Sequence, residues 1–309
     1  MTRVAFLGPP GTFTEAALLT QPDLAGAELV PVRTMPEVLE LAERGEVDLG
    51  FVALENSIDG TVNESLDSLI FETDLLIQRE VVLSVRMNLL GVSGADLAGV
   101  RRVVSIQKAL AQCRGWLTRT LPDAEILAAN STAEAAKLVS ESGATDIAAV
   151  GNDLAAKLYS LEVLAADIED HPDNSTRFVL VRPKVIPPAT GHDKTSIVCF
   201  QHADRPGSLH AILGQFSARN INLTKLESRP TKRGLGEYCF IIDLEGHVQD
   251  EVVADCLRDL HAQLAGLKFL GSYPAAGEHG ETIRRDAEAA WKRADEWLVG
   301  LRGLIRRDR

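Results

Sequence analysis

The sequence predicts an α/β protein built from two successive modules, and three observations support this. Over residues 2–181, short apolar strand candidates alternate with helical patterns, which is typical of an α/β fold. The periodicity stops in a stretch with three prolines and a glycine at residues 183–191, which indicates an extended linker. A second series of elements then follows in the order β-α-β-β-α-β, which predicts a ferredoxin-like unit.

The strand candidates of the first module are residues 3–7, 28–33, 48–54, 76–90, 102–106, 124–129, 146–150 and 177–181. The candidate at 76–90 is long for one strand and lies in the middle of the module, so it predicts a crossover between two lobes with a cleft between them. Two helix starts have the capping-box pattern, with Thr34 three residues before Glu37 and Ser131 three residues before Glu134.

The second module is predicted from strands at 195–200, 223–228, 237–244 and 268–271, with helices at 208–219 and 250–263. Residues 274–309 predict an amphipathic helical tail, because apolar residues recur near i, i+3, i+4 and i+7. These residues are Trp291, Ala294, Trp297, Leu298, Leu301, Leu304 and Ile305. Docking on the same protomer and contact between subunits both stay open, and membrane-surface binding is a third alternative. The predicted segments are 1–182, 183–194, 195–273 and 274–309.

Composition limits the function. A formal net charge of -12 argues against nucleic acid as a partner, so an anionic ligand needs local donors in a pocket. No apolar run approaches the ~20 residues of a membrane span, and the apolar N-terminal stretch is too short for a signal peptide, which predicts a cytoplasmic location. The four cysteines lack CxxC spacing, which favours buried thiols over a disulfide framework or a metal site: Cys113, Cys199, Cys239 and Cys256.

Residues 8–15 (GPPGTFTE) follow the first strand and open a helix. Backbone N–H groups and hydroxyls gather at such a positive helix end, which suits a carboxylate or phosphate. The alternative is a tight strand-to-helix turn with Thr14 as N-cap. The segment lacks GxGxxG and GxxxxGK[ST], which argues against a nucleotide cofactor bound in those ways.

Two further motifs concentrate polar groups beside strands. Residues 55–62 (ENSIDGTV) place an acid, an amide and a hydroxyl directly after the strand at 48–54. At the carboxyl end of a strand, these groups are well placed to contact a ligand in the cleft. The alternative is a turn that caps a helix near Val62. Residues 173–178 (DNSTRF) lead into an apolar strand. There the planar fork of Arg177 could clamp a carboxylate while a hydroxyl faces the reacting group, and the alternative is an exposed arginine beside a turn.

These three motifs, in this order, resemble the prephenate dehydratase family over residues 2–273. In the second module, RPGSL at 205–209, NINL at 220–223 and ESRP at 227–230 resemble an ACT domain. The resemblance implies a two-lobed α/β catalytic domain similar to type II periplasmic binding proteins, with the substrate in the interlobe cleft and no cofactor or metal. It implies a decarboxylating dehydration of prephenate to phenylpyruvate, water and carbon dioxide in phenylalanine biosynthesis.

The resemblance also implies roles for individual residues. Thr176 matches the essential threonine, and Glu55 and Asn56 match the acid and the amide of the catalytic set. Thr132 is a further cleft candidate at a helix start, with plain N-capping as its alternative. The expected substrate contacts are Arg177, Phe178, Ser57, Ser105, Gln112, Thr12, Phe13, Thr14 and Thr132.

One family motif is altered. The family has Ser-His-Pro-Gln followed by Gln-Cys, and here Ser105, Gln112 and Cys113 match. The His-Pro-Gln centre is replaced by residues 106–108 (IQK), so the role of that histidine is absent. Lys108 either supplies a cation instead or is a solvated helix residue.

For regulation, the resemblance implies that phenylalanine binds between two ACT modules of a homodimer or homotetramer. The expected effector contacts are Gly207, Ser208, Leu209, Asn222, Glu227, Ser228, Arg229 and Pro230. Two alternatives stay open at this point: a non-catalytic amino-acid sensor, and a dehydratase that also accepts arogenate.

Overall fold

The computed structural model describes residues 1–203, 205–232, 234, 237–276, 293 and 296–302. The chain divides into two compact units. The first unit contains residues 1–73 and 81–182, and the second contains residues 74–80 together with the chain from Pro183 onward. Residues 74–80, which the sequence placed in the catalytic domain, thus cluster with the second unit.

The strands up to Pro183 are β1 (Arg3–Leu7), β2 (Glu28–Val32), β3 (Leu49–Asn56), β4 (Gly60–Thr61), β5 (Leu75–Ser84), β6 (Asn88–Gly91), β7 (Arg102–Ser105), β8 (Glu125–Ala128), β9 (Ile147–Gly151), β10 (Glu162–Ala165) and β11 (Ser175–Pro183). The α-helices of this part are α1 (Phe13–Leu19), α2 (Met35–Glu43), α3 (Asn63–Phe71), α4 (Gln107–Gln112), α5 (Arg114–Thr120), α6 (Thr132–Ser142) and α7 (Asp153–Leu158). Short 3-10 helices cover Pro22–Leu24 and Leu97–Gly99.

The first unit has two sheets, which define two lobes. The first lobe has the strand order β2-β1-β3-β11-β5, with β4 paired to β3, and the second has the order β10-β6-β9-β7-β8. The predicted strand at 76–90 is in fact two strands, β5 and β6, which lie in different lobes. The chain therefore crosses between the lobes at residues 85–87 and returns at residues 166–174, and the sequence-based prediction of a two-lobed α/β domain is confirmed.

The central strands of each lobe are buried because helices cover both faces of the sheet. In the second lobe, the adjacent residues Val103 and Val104 of β7 point to opposite faces and belong to two different hydrophobic clusters. In the first lobe, Phe51 on β3 stacks on Phe178 of the neighbouring β11, with ring centroids 5.3 Å apart. Packing of this pair fixes β11 against β3 in the core.

Both predicted capping boxes are present. The backbone N–H of Glu37 donates to Thr34 Oγ1 (3.2 Å), and that of Glu134 donates to Ser131 Oγ (3.0 Å). Each glutamate also accepts a hydrogen bond from the backbone just before the cap. Local sequence thus sets where α2 and α6 begin.

The second unit has the predicted β-α-β-β-α-β order. Its strands are β12 (Asp193–Phe200), β13 (Leu223–Pro230), β14 (Tyr238–Glu245) and β15 (Gly266–Pro274), and its helices are α8 (Ser208–Ser217) and α9 (Glu251–Gln263). The sheet order β13-β14-β12-β15 is that of a ferredoxin-like fold. Its hydrophobic core forms between one face of the sheet and the two helices.

The predicted C-terminal tail falls mostly outside the described residues. Residues 296–302 are helical, whereas Trp291, Ala294, Leu304 and Ile305 are not described. Among the residues that are described, no helix is long and apolar enough to cross a membrane.

Several contacts hold residues 74–80 in the second unit. The buried carboxylate of Glu80 accepts from Lys194 Nζ (2.8 Å), and Gln78 Nε2 donates to the carbonyl of Val185 (2.7 Å). Gly271 on β15 lies against Ile77. A Cβ atom built on Gly271 would lie 2.7 Å from the Ile77 carbonyl oxygen, and its φ of +143° is one that L side chains rarely adopt.

We expect Gly271→Ala to lower the free energy of unfolding by about 2 kcal/mol or more, because the methyl group meets backbone atoms and the backbone is strained. Urea unfolding followed by circular dichroism measures this loss. The matched control is Gly266→Ala on the same strand, where the nearest atoms to the added Cβ lie 3.6 Å away. Equal stability of the two variants would contradict the prediction.

Candidate active site

Pairing of β3 with β11 brings two of the sequence motifs together. Their antiparallel register places Thr176 opposite Asn56 and Arg177 opposite Glu55. β11 begins where the returning connection from the second lobe ends, so these four residues lie together at the end of the ladder nearest that connection. Residues that are about 120 positions apart in sequence therefore form one site.

The Asn56 side chain fixes how the Thr176 hydroxyl is used. Asn56 Oδ1 accepts from the backbone N–H groups of Ile58 and Asp59 (3.0 Å each), which sets the amide orientation. Asn56 Nδ2 then donates to Thr176 Oγ1 (2.9 Å). Because an amide nitrogen can only donate, the threonine oxygen is the acceptor, and its own proton has no acceptor within the described residues. The hydroxyl proton is available to a ligand.

Arg177 and Glu55 form a separate pair. Arg177 Nη1 lies 3.7 Å from Glu55 Oε2, and the arginine side chain is only 13% exposed. It is therefore not the exposed arginine of the alternative interpretation. Side chains alternate along strands, so this pair points to the other face of the β3–β11 ladder from Thr176 and Asn56. The register shifts after Arg177, where β3 has one extra residue, Leu54.

The second lobe contributes Gln112 at the end of α4. Gln112 Nε2 lies 3.4 Å from Asp59 Oδ2, and Gln112 Oε1 accepts from Asn174 Nδ2 (3.0 Å). Lys108, one turn earlier, has its Nζ 3.7 Å from the same Asp59 oxygen, but its side chain is 73% exposed. Ile106 packs on the core of the second lobe. The altered centre of this motif thus supplies a solvated lysine and a packing residue.

The sequence motifs did not single out Asn174. This residue is 1% exposed, and its Oδ1 accepts from Asn56 Nδ2 at 2.8 Å. The signal lay within the quoted motif, because Asn174 precedes Thr176 by two residues and strand alternation puts such residues on one side. Ser57 belongs to the same group: its Oγ accepts from Ser175 N (2.9 Å) and lies 3.4 Å from Asn174 Oδ1.

The first motif differs from expectation. The N-cap of α1 is Thr12, whose Oγ1 accepts from Glu15 N (3.3 Å), and Thr14 is not the cap. The Glu15 carboxylate also accepts from Gly11 N (2.5 Å). The Glu15 carboxylate therefore already accepts from a backbone donor at the start of α1, where the sequence predicts an anion site. Its negative charge also disfavours the binding of another anion there. Phe13 packs against the core of the second lobe.

Two other expected contacts are structural here. Ser105 is fully buried and donates to the Val150 carbonyl (2.7 Å), so its hydroxyl is already used. Phe178 is 2% exposed and packs in the core of the first lobe. Both residues support the cleft through packing and hydrogen bonding.

Thr14 and Thr132 lie near the starts of α1 and α6. The cap of α6 is Ser131, so capping does not explain Thr132. A Cβ built on Gly11 would lie 3.4 Å from the Ala133 side chain, which places the two helix starts side by side. Neither threonine hydroxyl hydrogen-bonds to any residue that the structure describes, so both remain available to a ligand.

The titratable groups of this region do not form a metal site: among the described residues, no cluster of His, Cys, Asp and Glu could hold an ion. Cys113 ends the altered motif and is fully buried. Burial, followed by the carboxylates of Asp170 and Glu169, raises the pKa of the Cys113 thiol to about 12. Its thiol is therefore a packing group of the second lobe.

Comparison with known proteins was consistent across sequence and structure. A family model for prephenate dehydratase matches residues 4–185, and a model for the ACT domain matches residues 195–262. A prephenate dehydratase of Mycolicibacterium vanbaalenii is 42% identical over 316 residues, which cover 98% of this chain and 99% of the relative.

Two solved structures are similar over most of their length. The crystal structure of prephenate dehydratase from Arthrobacter aurescens in complex with L-Phe has 40% identity and a TM-score of 0.88, and the match covers 97% of this chain and 99% of that chain. The quorum-quenching acylase GqqA has 32% identity and a TM-score of 0.79, covering 89% of this chain and 98% of that chain.

We expect the native protein to show no thiol reactive toward Ellman's reagent at pH 8, because all four cysteines are buried and a pKa of about 12 leaves Cys113 almost entirely protonated. Four thiols should react after denaturation. Lys108→Cys provides the control, since it places an exposed thiol on the helix that precedes Cys113 and should react at once. Rapid labelling of the native wild-type protein would show that this packing opens readily.

Proposed function

Because the chain belongs to the prephenate dehydratase family, we propose roles for its cleft residues in converting prephenate to phenylpyruvate, water and carbon dioxide. The enzyme is a hydro-lyase with an ACT regulatory domain. In the reaction, the bond between the ring and its carboxylate breaks and its electron pair enters the ring. The carbon–oxygen bond breaks at the opposite ring carbon, and the hydroxyl leaves with a proton as water. The site must therefore hold two carboxylates and assist one leaving hydroxyl.

The observation that carries this proposal is the orientation of the Thr176 hydroxyl. Its oxygen accepts from Asn56, which leaves the proton free to donate to the leaving hydroxyl. A threonine is a very weak acid, so Thr176 stabilises the departing oxygen by a hydrogen bond that is already oriented. Asn56 acts by fixing that orientation.

Arg177 binds a carboxylate of the substrate in this proposal. Its guanidinium is nearly buried and is paired with Glu55. The Glu55 carboxylate orients the guanidinium and partly neutralises its positive charge. Prephenate carries its hydroxyl and its carboxylates at opposite ends of the ring. In this proposal, Thr176 lies at the hydroxyl and the neighbouring Arg177 lies at a carboxylate.

The Thr14 and Thr132 hydroxyls complete the carboxylate side. They lie at adjacent helix starts, and neither is engaged with a described residue. Gln112 and Ser57 act through Asn174, which connects them to Asn56. Ser105, Phe178, Thr12 and Phe13 support the walls of the cleft.

The similarity to an acylase raises a second activity, which the geometry does not favour. Acyl transfer needs a nucleophile within hydrogen-bond reach of a base. The hydroxyls of Ser57 and Thr176 are instead held by the side-chain amides of Asn174 and Asn56, which are not bases. The relatives likewise do not favour a non-catalytic sensor or an arogenate-accepting enzyme.

The relative from Arthrobacter aurescens was crystallised with L-Phe, and we propose that phenylalanine is the effector of this chain as well. The site would lie between two ACT modules, at residues 207–209, Asn222 and residues 227–230. In the described sheet of the second unit, β13 is an edge strand, and Leu226 on it is 45% exposed. An edge strand with an exposed apolar residue favours association with a second module, hence a homodimer or homotetramer. The cytoplasmic location and the four-segment division stay predictions from the sequence.

Thr176→Val should lower kcat by about 100-fold or more, because it removes the donor to the leaving hydroxyl while keeping shape and volume. Phenylpyruvate formation from prephenate, followed by its ultraviolet absorbance, measures the loss. Thr118→Val, on the surface of α5, should keep wild-type turnover. Full activity of the Thr176 variant would remove this residue from the mechanism.

Ser228→Ala should raise the phenylalanine concentration for half-maximal inhibition by about three- to tenfold, as expected for the loss of one hydrogen bond. Turnover without phenylalanine should not change, because the substitution lies in the regulatory unit. Ser217→Ala, on an exposed part of α8, should respond like the wild type. An unchanged response of Ser228→Ala would place the effector elsewhere.

A further inference from the structure

Asn174 contacts both lobes and both connections between them. It ends the returning connection and is almost completely buried. Its side chain bonds to Asn56 of the first lobe and Gln112 of the second, at 2.8 and 3.0 Å. Its backbone carbonyl accepts from Val85 N (2.8 Å), which belongs to the other connection. One asparagine thus joins the four parts of the chain that meet at the base of the cleft.

The polarity of these hydrogen bonds is fixed by the backbone. Asn56 Oδ1 is occupied by two backbone N–H groups, so its NH2 group must face Asn174 and Thr176. That group has two hydrogens, and its two shortest hydrogen bonds go to these partners, while the Ser175 carbonyl lies farther away at 3.3 Å. Asn174 Oδ1 is therefore the acceptor that holds the amide of Asn56 in the plane from which it reaches Thr176.

The NH2 group of Asn174 completes a ring of hydrogen bonds. Asn174 Nδ2 donates to Gln112 Oε1, and Gln112 Nε2 lies 3.4 Å from Asp59 Oδ2. The backbone N–H of Asp59 donates to Asn56 Oδ1, which returns the ring to its start. Every donor and acceptor in the ring has one assignment. The ring closes only when Gln112 of the second lobe is docked on the first lobe.

We propose that Asn174 is a positioning residue for the dehydration step. It acts through Asn56 and couples the docking of Gln112, and hence closure of the cleft, to the direction of the Thr176 proton. Substrate that draws the lobes together therefore also orients the hydrogen-bond donor for the leaving hydroxyl. The inference rests on the proposed role of Thr176.

Three variants test the proposal in the full-length enzyme. Asn174→Leu keeps the branching and the number of side-chain heavy atoms and removes both side-chain hydrogen bonds, and it should lower kcat by about 100-fold with a much smaller change in KM. Asn174→Asp keeps the acceptor for Asn56 but loses the donor to Gln112, so its kcat should lie between those of the wild type and Asn174→Leu. Gln112→Leu opens the same ring from the second lobe. Combined with Asn174→Asp, it should lower kcat no further than the worse single variant, since either change alone already removes the Asn174–Gln112 hydrogen bond.

Asn88→Leu is the matched control, because Asn88 is similarly buried (3% exposed) and bonds to Asp153 instead (2.6 Å). It should lower the melting temperature while keeping kcat. A folded Asn174→Leu enzyme with wild-type kcat, or additive losses in the Asn174→Asp and Gln112→Leu pair, would overturn the proposal. Should Asn174→Leu fail to fold, the additivity test decides alone.

Thr176→Val, measured in parallel, separates this inference from the function on which it rests. If Thr176→Val is inactive and Asn174→Leu is fully active, the role of Thr176 stands and the positioning role of Asn174 is refuted. If Thr176→Val is fully active, both roles are refuted, since there is then no proton for Asn174 to direct.

Discussion

The antiparallel pairing of β3 with β11 is the constraint on which the rest of the catalytic unit depends. β11 is the last strand of the unit in sequence, yet it lies in the middle of the first sheet beside β3. The Phe51–Phe178 stack and the flanking apolar residues fix its register in the core, where a slip by one residue would turn every side chain to the wrong face. The same register sets Thr176 opposite Asn56 at the mouth of the strands. Core packing and catalytic geometry are thus determined by one ladder.

Acidic groups within the cleft limit how it can hold a dianion. Glu15 occupies a donor at the start of α1, Glu55 is paired with Arg177, and Asp59 lies between Gln112 and Lys108. Lys108 is largely solvated, so its charge is screened and it does not replace the histidine that the family has in this motif. In the proposed mechanism, binding therefore rests on the fork of Arg177 and on neutral donors. Such donors are directional, which favours a substrate held in one orientation.

The antiparallel sheet of the second unit contains buried polar side chains, which are hydrogen-bonded to one another. Ser196 bridges Asp243 and the hydroxyl of Tyr273, each at 2.6 Å, and all three residues are nearly inaccessible to solvent. A satisfied network of this kind fixes strand register as firmly as apolar packing does. In the proposed regulation, control requires only that phenylalanine bind one conformational state of the protein more tightly than another, with a coupling energy equal to that difference in binding free energy.

The sequence by itself determined the elements whose signals are local. Capping boxes set the starts of α2 and α6, the prolines after residue 182 and the β-α-β-β-α-β order defined the second module, and the motifs identified Thr176, Asn56 and Arg177. The tertiary structure determined on which face of its strand each side chain lies and which residues it contacts. It placed Phe178 and Ser105 in the core, made Thr12 the N-cap of α1, and grouped residues 74–80 with the second unit. It also brought Asn174 against both Asn56 and Gln112. These outcomes depend on strand register and on lobes that meet across distant parts of the chain, and no local pattern specifies such contacts.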